Sequence, residues 1–140
     1  MYTYVIIDDE PLIRRGTKKK LEPLSHLLTC CGEASDGREG LELVRQLKPD
    51  IVILDMQMPV MDGTELLPAL SEEFPSTALI VISGFQNFDY MKQAISSKVI
   101  DYILKPFSKD EIQQTVLKTI DSLKDKEAED HHLTSMVQEK

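Results

Sequence analysis

No run of apolar residues in this 140-residue chain approaches the roughly 18 that a membrane-spanning helix needs. The opening residues, Met1-Tyr2-Thr3-Tyr4, lack the basic flank that begins a secretory signal. A cytoplasmic protein without membrane association is therefore expected. Cysteine is scarce: Cys30 and Cys31 are the only two. They are adjacent, and sequence neighbours rarely bond to each other, so both read as reduced thiols in or near the core. Positive charge is in deficit. Sixteen basic residues face 24 acidic ones, a formal net charge of -8, and a domain of that sign repels nucleic acid phosphates. Direct nucleic acid binding by these residues is excluded on that ground. The remaining balance, 41% hydrophobic and 29% charged, is that of a globular domain, and the length suits one core better than two.

Short β-branched runs alternate with amphipathic stretches five times, the pattern of βαβ units and a parallel sheet. The expected strands are Thr3 to Asp8, Leu28 to Glu33, Ile51 to Asp55, Ala78 to Ser83 and Asp101 to Leu104. Ile51-Val52-Ile53-Leu54 and Leu79-Ile80-Val81-Ile82 are apolar throughout, as strands covered on both faces must be, so these two should be central. Asp36 with Glu39, Asp62 with Glu65, and Ser108 with Glu111 have the spacing of capping boxes. Pro11 suits the first turn of the first helix and Pro23 its end. The second helix, Gly37 to Leu47, should present Leu41, Val44 and Leu47 on one face. The third is expected from Gly63 to Phe74 and the fourth from Asn87 to Ser97. The fifth, from Ser108, should bury Ile112, Val116, Leu117, Ile120 and Leu123. Residues 1–124 then form one domain. Beyond it the apolar pattern thins to Ala128, Leu133, Met136 and Val137, so residues 125–140 read as a linker or tail, either a frayed continuation of the fifth helix or disordered chain. His131 and His132 in this segment read as solvated rather than as metal ligands. The run Lys18-Lys19-Lys20 reads as a solvated face of the first helix.

An open parallel sheet binds ligands beyond the carboxyl ends of its strands, where the strand order reverses. Asp8 and Asp9 close the first strand and Asp55 the third, so three carboxylates should converge there. Two ionised carboxylates about 4 Å apart repel by roughly 4 kcal/mol at an effective dielectric near 20, and such a cluster implies a neutralising cation. Few, hard oxygen ligands suit Mg2+ better than a Ca2+ cage. Asp9 and Asp55 are the expected direct ligands, Asp8 acts partly through water, and the backbone carbonyl of Gln57 is a candidate to complete the set. A carboxylate beside Mg2+ can attack a phosphoryl group when nearby cations and donors offset the charge on its equatorial oxygens. Lys105, ending the fifth strand before Pro106 at a candidate cis peptide, and Ser83, ending the fourth, are placed for that work. Each residue alone has a bland reading; the convergence of all of them at one sheet edge is what carries the argument.

Val5-Ile6-Ile7-Asp8-Asp9-Glu10-Pro11, Ile53-Leu54-Asp55-Met56-Gln57-Met58-Pro59-Val60-Met61-Asp62-Gly63, Ile82-Ser83-Gly84 and Asp101-Tyr102-Ile103-Leu104-Lys105-Pro106-Phe107 together resemble the response regulator receiver domain of bacterial two-component systems. The resemblance spans about Tyr2 to Leu123. It implies a flavodoxin-like (βα)5 doubly wound parallel sheet with strand order 2-1-3-4-5. It also implies Asp55 as phosphoacceptor, Asp8 and Asp9 as organisers of Mg2+, Ser83 as switch hydroxyl, Tyr102 as switch aromatic and a histidine kinase as phosphoryl donor. Ser83-Gly84-Phe85-Gln86-Asn87-Phe88-Asp89-Tyr90 resembles receivers attached to an AraC-type helix-turn-helix output domain. Two positions depart from the family pattern. Gly84 stands where many receivers carry Ala, and Ser97-Lys98 replaces a small-residue or Gly turn, so Lys98 is expected in an unusual backbone conformation.

Phosphorylation at Asp55 would draw Ser83 and Lys105 toward new acceptor oxygens, let Tyr102 fill the vacated space, and reshape the surface of the fourth helix, fifth strand and fifth helix. That surface is a candidate homodimer face, and the first helix a candidate kinase contact. Two rival readings lack the residues they need. A Mg2+-dependent phosphohydrolase with an aspartyl nucleophile, of haloacid dehalogenase type, would need that Asp after the first strand and a second Asp two residues on, which Asp55-Met56-Gln57 does not supply. A flavodoxin-type electron carrier shares the topology, but Asp8-Asp9-Glu10 would repel its flavin phosphate.

Overall fold

The structure, a computed structural model, describes residues 1–138, with side chains through residue 129. Five strands, β1 (Tyr2–Ile7), β2 (Leu28–Ala34), β3 (Ile51–Asp55), β4 (Ala78–Ser83) and β5 (Asp101–Leu104), alternate with α1 (Pro11–Leu21), α2 (Gly37–Leu47), α3 (Gly63–Glu73), α4 (Phe88–Ser96) and α5 (Lys109–Gln138). A short 3-10 turn, Glu22–Leu24, carries Pro23 and follows α1. All strand pairs are parallel, in the order β2-β1-β3-β4-β5. The order reverses between β1 and β3, which places the switch point at the carboxyl ends of these two strands.

Side-chain alternation along the strands divides the core into two layers. Ile6, Ile53, Ile80 and Ile82 face α1 and α5, where Ile112, Val116 and Ile120 meet them. Val5, Val52, Leu54 and Val81 face the opposite way, onto Leu41 and Val44 of α2 and Leu66, Leu67 and Leu70 of α3. Every residue of β3 and β4 is buried, so the two uniformly apolar runs are central as expected.

The capping sites show three outcomes. Ser108 and Glu111 form the reciprocal box, Glu111 N donating to Ser108 Oγ at 3.0 Å and Ser108 N to Glu111 Oε1 at 3.3 Å. Asp36 accepts from Glu39 N. Asp62 instead accepts from the amide and hydroxyl of Thr64, so Glu65 supplies no reciprocal bond there. Asn87 caps α4 through Tyr90 N.

Several expectations are corrected. Leu47 is 41% exposed because α2 ends there, over the edge strand. Cys31 is exposed while Cys30 is half-buried, both as free thiols: β2 bulges at this point, Tyr4 pairing with Cys30 and Val5 with Gly32, which leaves Cys31 outside the ladder. The lysine run is only partly solvated, since Lys18 Nζ pairs with Glu33 Oε2 at 2.6 Å and Lys20 Nζ lies 4.6 Å from the Phe107 ring centroid. Leu117 and Leu123 are half-buried rather than buried. The backbone of α5 runs on through Gln138, across the segment for which a continued fifth helix and disordered chain were the two alternatives. The side chains of His131, His132, Leu133, Met136 and Val137 lie outside the described residues. Lys98 has φ 58°, as its sequence context required, and the Lys105-Pro106 peptide is cis.

Candidate functional site: an acidic cleft at the switch point

Asp8 follows the last residue of β1, and its amide donates to Ala34 O at 3.0 Å. The third strand ends on Asp55. Because β1 and β3 are hydrogen-bonded neighbours, with Ile7 opposite Leu54, the chain turns out of the sheet at both places side by side. Asp8, Asp9, Glu10 and Asp55 each offer a carboxylate oxygen within 4.8 Å of the others. Asp9, Glu10 and Asp55 open on a cleft of about 500 Å³ that Gln57, Tyr90 and Lys105 also line, and Asp8 lies fully buried beneath them. The structure thus brings Asp8, Asp9 and Asp55 together, and adds Glu10, which sequence reasoning had left in the motif without a role. Its signal was the unbroken Asp8-Asp9-Glu10 run immediately before the helix.

Lys105 comes from the end of β5, which Lys105 N joins to Ser83 O at 2.8 Å. Its Nζ lies 2.9 Å from Asp8 Oδ2, 3.0 Å from Asp55 Oδ2 and 3.3 Å from Glu10 Oε1. Burial raises the Asp8 and Asp55 carboxyls above the ordinary carboxylate range, although Lys105 opposes this at both. Desolvation pulls the Lys105 ammonium down, but the close contact with Asp8 and the charge of Asp55 outweigh it and hold the group above the ordinary lysine value. Lys105 is therefore charged, and one ammonium stands against four clustered carboxylates.

That imbalance is the test of whether the site suits a cation. Asp8 Oδ1 accepts from Glu10 N at 2.9 Å. Asp8 Oδ2, in a residue with no exposed surface, accepts no hydrogen bond from the described residues; among them an ion pair with Lys105 is its one compensation. A buried carboxylate oxygen left in that condition costs free energy unless a further positive charge meets it. The donors are all hard oxygens, and Asp9 is exposed to the cleft. This set fits a small divalent cation that keeps part of its water shell.

Ser83 and Tyr102 meet at one residue beside the cleft. Ser83, fully buried at the end of β4, accepts from Phe85 N at 3.1 Å through Oγ. Tyr102, half-buried on β5, donates its hydroxyl to Phe85 O; burial raises its phenol above the ordinary range. Opposite, Met61 N donates to Pro59 O at 2.7 Å across Val60, whose φ is 70°. The loop after Asp55 therefore contains a three-residue turn centred on a β-branched residue, a strained arrangement that its sequence does not announce.

A doubly wound sheet of order 2-1-3-4-5 with an acidic, cation-demanding cleft at its switch point defines a class of protein, and comparison with known proteins gives the family. Residues 4–117 match the family model of the response regulator receiver domain. The uncharacterized transcriptional regulatory protein YesN of Bacillus subtilis is 38% identical over 124 residues, which make up 89% of this chain and 34% of that protein. The transcriptional regulatory protein HptR of Staphylococcus aureus is 37% identical over 106 residues, 76% of this chain and 41% of its own length. Among solved structures, the REC domain of the response regulator AraT from Geobacillus stearothermophilus matches with a TM-score of 0.83 at 33% identity, covering 90% of this chain and 98% of that one. The chain belongs to the response regulator receiver domain family. It spans less than half the length of these curated relatives.

Proposed function

We propose that the chain is a phosphorylation-dependent signalling switch of a two-component system, in which Asp55 takes a phosphoryl group from the phosphohistidine of a histidine kinase. A carboxylate oxygen of Asp55 forms the new P–O bond as the P–N bond breaks, and the imidazole leaves. Lys105 Nζ, already 3.0 Å from Asp55 Oδ2, neutralises charge on the incoming group, and Ser83 Oγ gives up its contact with Phe85 N to donate to a phosphoryl oxygen. Asp8, Asp9, Asp55 and the Gln57 carbonyl would hold Mg2+, which supplies charge neutralisation at the phosphoryl oxygens. The observation that carries this reading is the single ammonium bridging Asp8 and Asp55 in an otherwise acidic, buried corner.

The relay runs through Phe85. When Ser83 turns toward the phosphoryl group, the loop after β4 follows, Tyr102 exchanges its acceptor, and the α4-β5-α5 surface changes shape. That surface already exposes Phe88 and Ile95 of α4 and Leu104 of β5, apolar groups suited to a homodimer contact. Residues 1–124 serve as the receiver, and residues 125–140 connect it to a DNA-binding output domain. The transcriptional regulators named among the relatives, of which this chain matches only a part, support that assignment. No helix among the described residues is long and apolar enough to cross a membrane, in keeping with a cytoplasmic protein. The role is that of a switch, with self-phosphotransfer and autodephosphorylation but no external turnover. Incubation with acetyl phosphate and Mg2+, read by intact mass, tests this: the wild type should gain one phosphoryl group and Asp55→Asn none, and equal labelling of both would overturn it.

A further inference from the structure

A cation that the phosphotransfer chemistry does not use stands directly behind the acidic cluster. Arg14, in the first turns of α1, is only 18% exposed along its side chain. Its Nη1 donates to the backbone carbonyl of Asp8, and its Nε to Glu33 Oε1 at 3.1 Å. Glu33, on β2, also receives Lys18 Nζ at 2.6 Å through Oε2. The guanidinium is thus clamped between a carboxylate and one peptide carbonyl.

That carbonyl belongs to the peptide joining Asp8 to Asp9. β1 ends at Ile7, so the Asp8–Asp9 peptide has left the sheet, and the orientation of both acidic side chains depends on how this unit is held. The amide of Asp8 is fixed by Ala34 O, and Glu10 N is fixed by Asp8 Oδ1. Arg14 supplies the donor for the carbonyl between them. Helix preference does not explain a cation here, because the first turns of a helix favour negative charge. A planar fork that bonds two acceptors in fixed directions does explain an arginine. Arg15, next in sequence, is exposed and takes no such role.

We infer that Arg14 is a positioning residue of the cation site: it fixes the Asp8–Asp9 peptide in the orientation that aims both carboxylates into the cleft, and Glu33 with Lys18 fixes Arg14. This rests on the reading of the cleft as a divalent cation site. Partners of metal ligands outside the coordination sphere alter affinity by about 10- to 100-fold when removed, and Arg14 acts on two adjacent acidic residues through one peptide.

The test uses Mn2+ alone as the probe, with free ion counted by electron paramagnetic resonance during titration of the whole chain. Arg14→Ala should weaken Mn2+ binding about tenfold, and Arg14→Lys, which keeps the charge but loses the fork, should restore only part of it. Glu33→Gln should weaken binding by less than Arg14→Ala, and the double variant should be no worse than Arg14→Ala by itself, because Glu33 acts through Arg14. In acetyl phosphate reactions the Mg2+ concentration for half-maximal rate should rise while the rate at saturating Mg2+ is retained. Absence of Mn2+ binding by the wild type would overturn the cation site and this inference together. Wild-type binding with unchanged affinity in Arg14→Lys and Glu33→Gln, which preserve most of the packing, would overturn this inference and leave the cation site standing.

Discussion

Ser83 and Tyr102 hold the same residue from two sides: the serine hydroxyl accepts from the amide of Phe85 at 3.1 Å, and the tyrosine hydroxyl donates to the Phe85 carbonyl. A displacement of Ser83 toward Asp55 would remove one of these two holds and leave Phe85 fastened through Tyr102 alone. Tyr102→Phe keeps the ring and removes the donor, so it should loosen the loop after β4 without affecting phosphoryl uptake at Asp55. Faster amide hydrogen exchange at residues 84–87, with a wild-type rate of acetyl phosphate labelling, is the expected result.

Among the described residues, Lys105 is the one ammonium facing the four clustered carboxylates. Lys105→Met preserves the length of the side chain and leaves Asp8 and Asp55 unpaired, which should cost about 3 kcal/mol in the presence of a chelator. Because a divalent cation offsets the same charges, the loss should shrink in Mg2+. Urea unfolding with and without Mg2+ measures both. Labelling by acetyl phosphate should fall on the order of 100-fold, the effect of removing one preorganised charge-stabilising group.

Burial at 4% exposure, with the Asp8 charge beside it, raises the Asp55 carboxyl although Lys105 opposes this, so a charge at this place costs stability. An amide of the same shape has no charge to desolvate. Asp55→Asn should therefore stabilise the metal-free protein by about 1 kcal/mol, as a higher urea midpoint at unchanged slope, while abolishing phosphoryl uptake.

Val60 occupies the centre of the turn closed by Met61 N and Pro59 O, at φ 70°. Glycine reaches that region without the Cβ clash, so Val60→Gly should stabilise by about 1 kcal/mol in thermal or urea unfolding. Its side chain is 64% exposed, so little packing is lost in exchange.

Glu33 has its carboxyl held below the ordinary glutamate range, first by the Lys18 hydrogen bond and then by Arg14. A carboxyl depressed in the folded state contributes stability that is fully present above its unfolded pKa and is lost as pH falls through the folded value. The wild type should lose stability in that acid window more steeply than Glu33→Gln, and high salt should narrow the difference, since the pair is partly exposed. Urea midpoints followed from neutral pH into acid measure the slope.

Much of this was legible in the sequence because the physics was local. The apolar runs of β3 and β4 could be buried only on both faces, and Gly37 to Leu47 is a helix with the bounds that its cap and periodicity set. The Asp8, Asp55 and Lys105 cluster followed from strand ends and topology, the topology itself through the family resemblance. What escaped depended on contacts between elements. The bulge that expels Cys31 is a property of the β1-β2 pairing, the strained turn at Val60 depends on the packing around it, and Arg14 belongs to no sequence motif, so its bonds to Asp8 and Glu33 show only once α1 is packed on the sheet. Glu10 was visible as a letter, but its reach to Lys105 required the fold.

In the proposed function Asp55 itself forms the acyl phosphate. Borohydride reduction of protein labelled with acetyl phosphate and Mg2+ converts an aspartyl phosphate to homoserine, and peptide mass spectrometry then places the modification. Homoserine is expected at position 55, and it should disappear when Mg2+ is chelated. A modification at any other residue, or labelling indifferent to chelation, would contradict that role of Asp55.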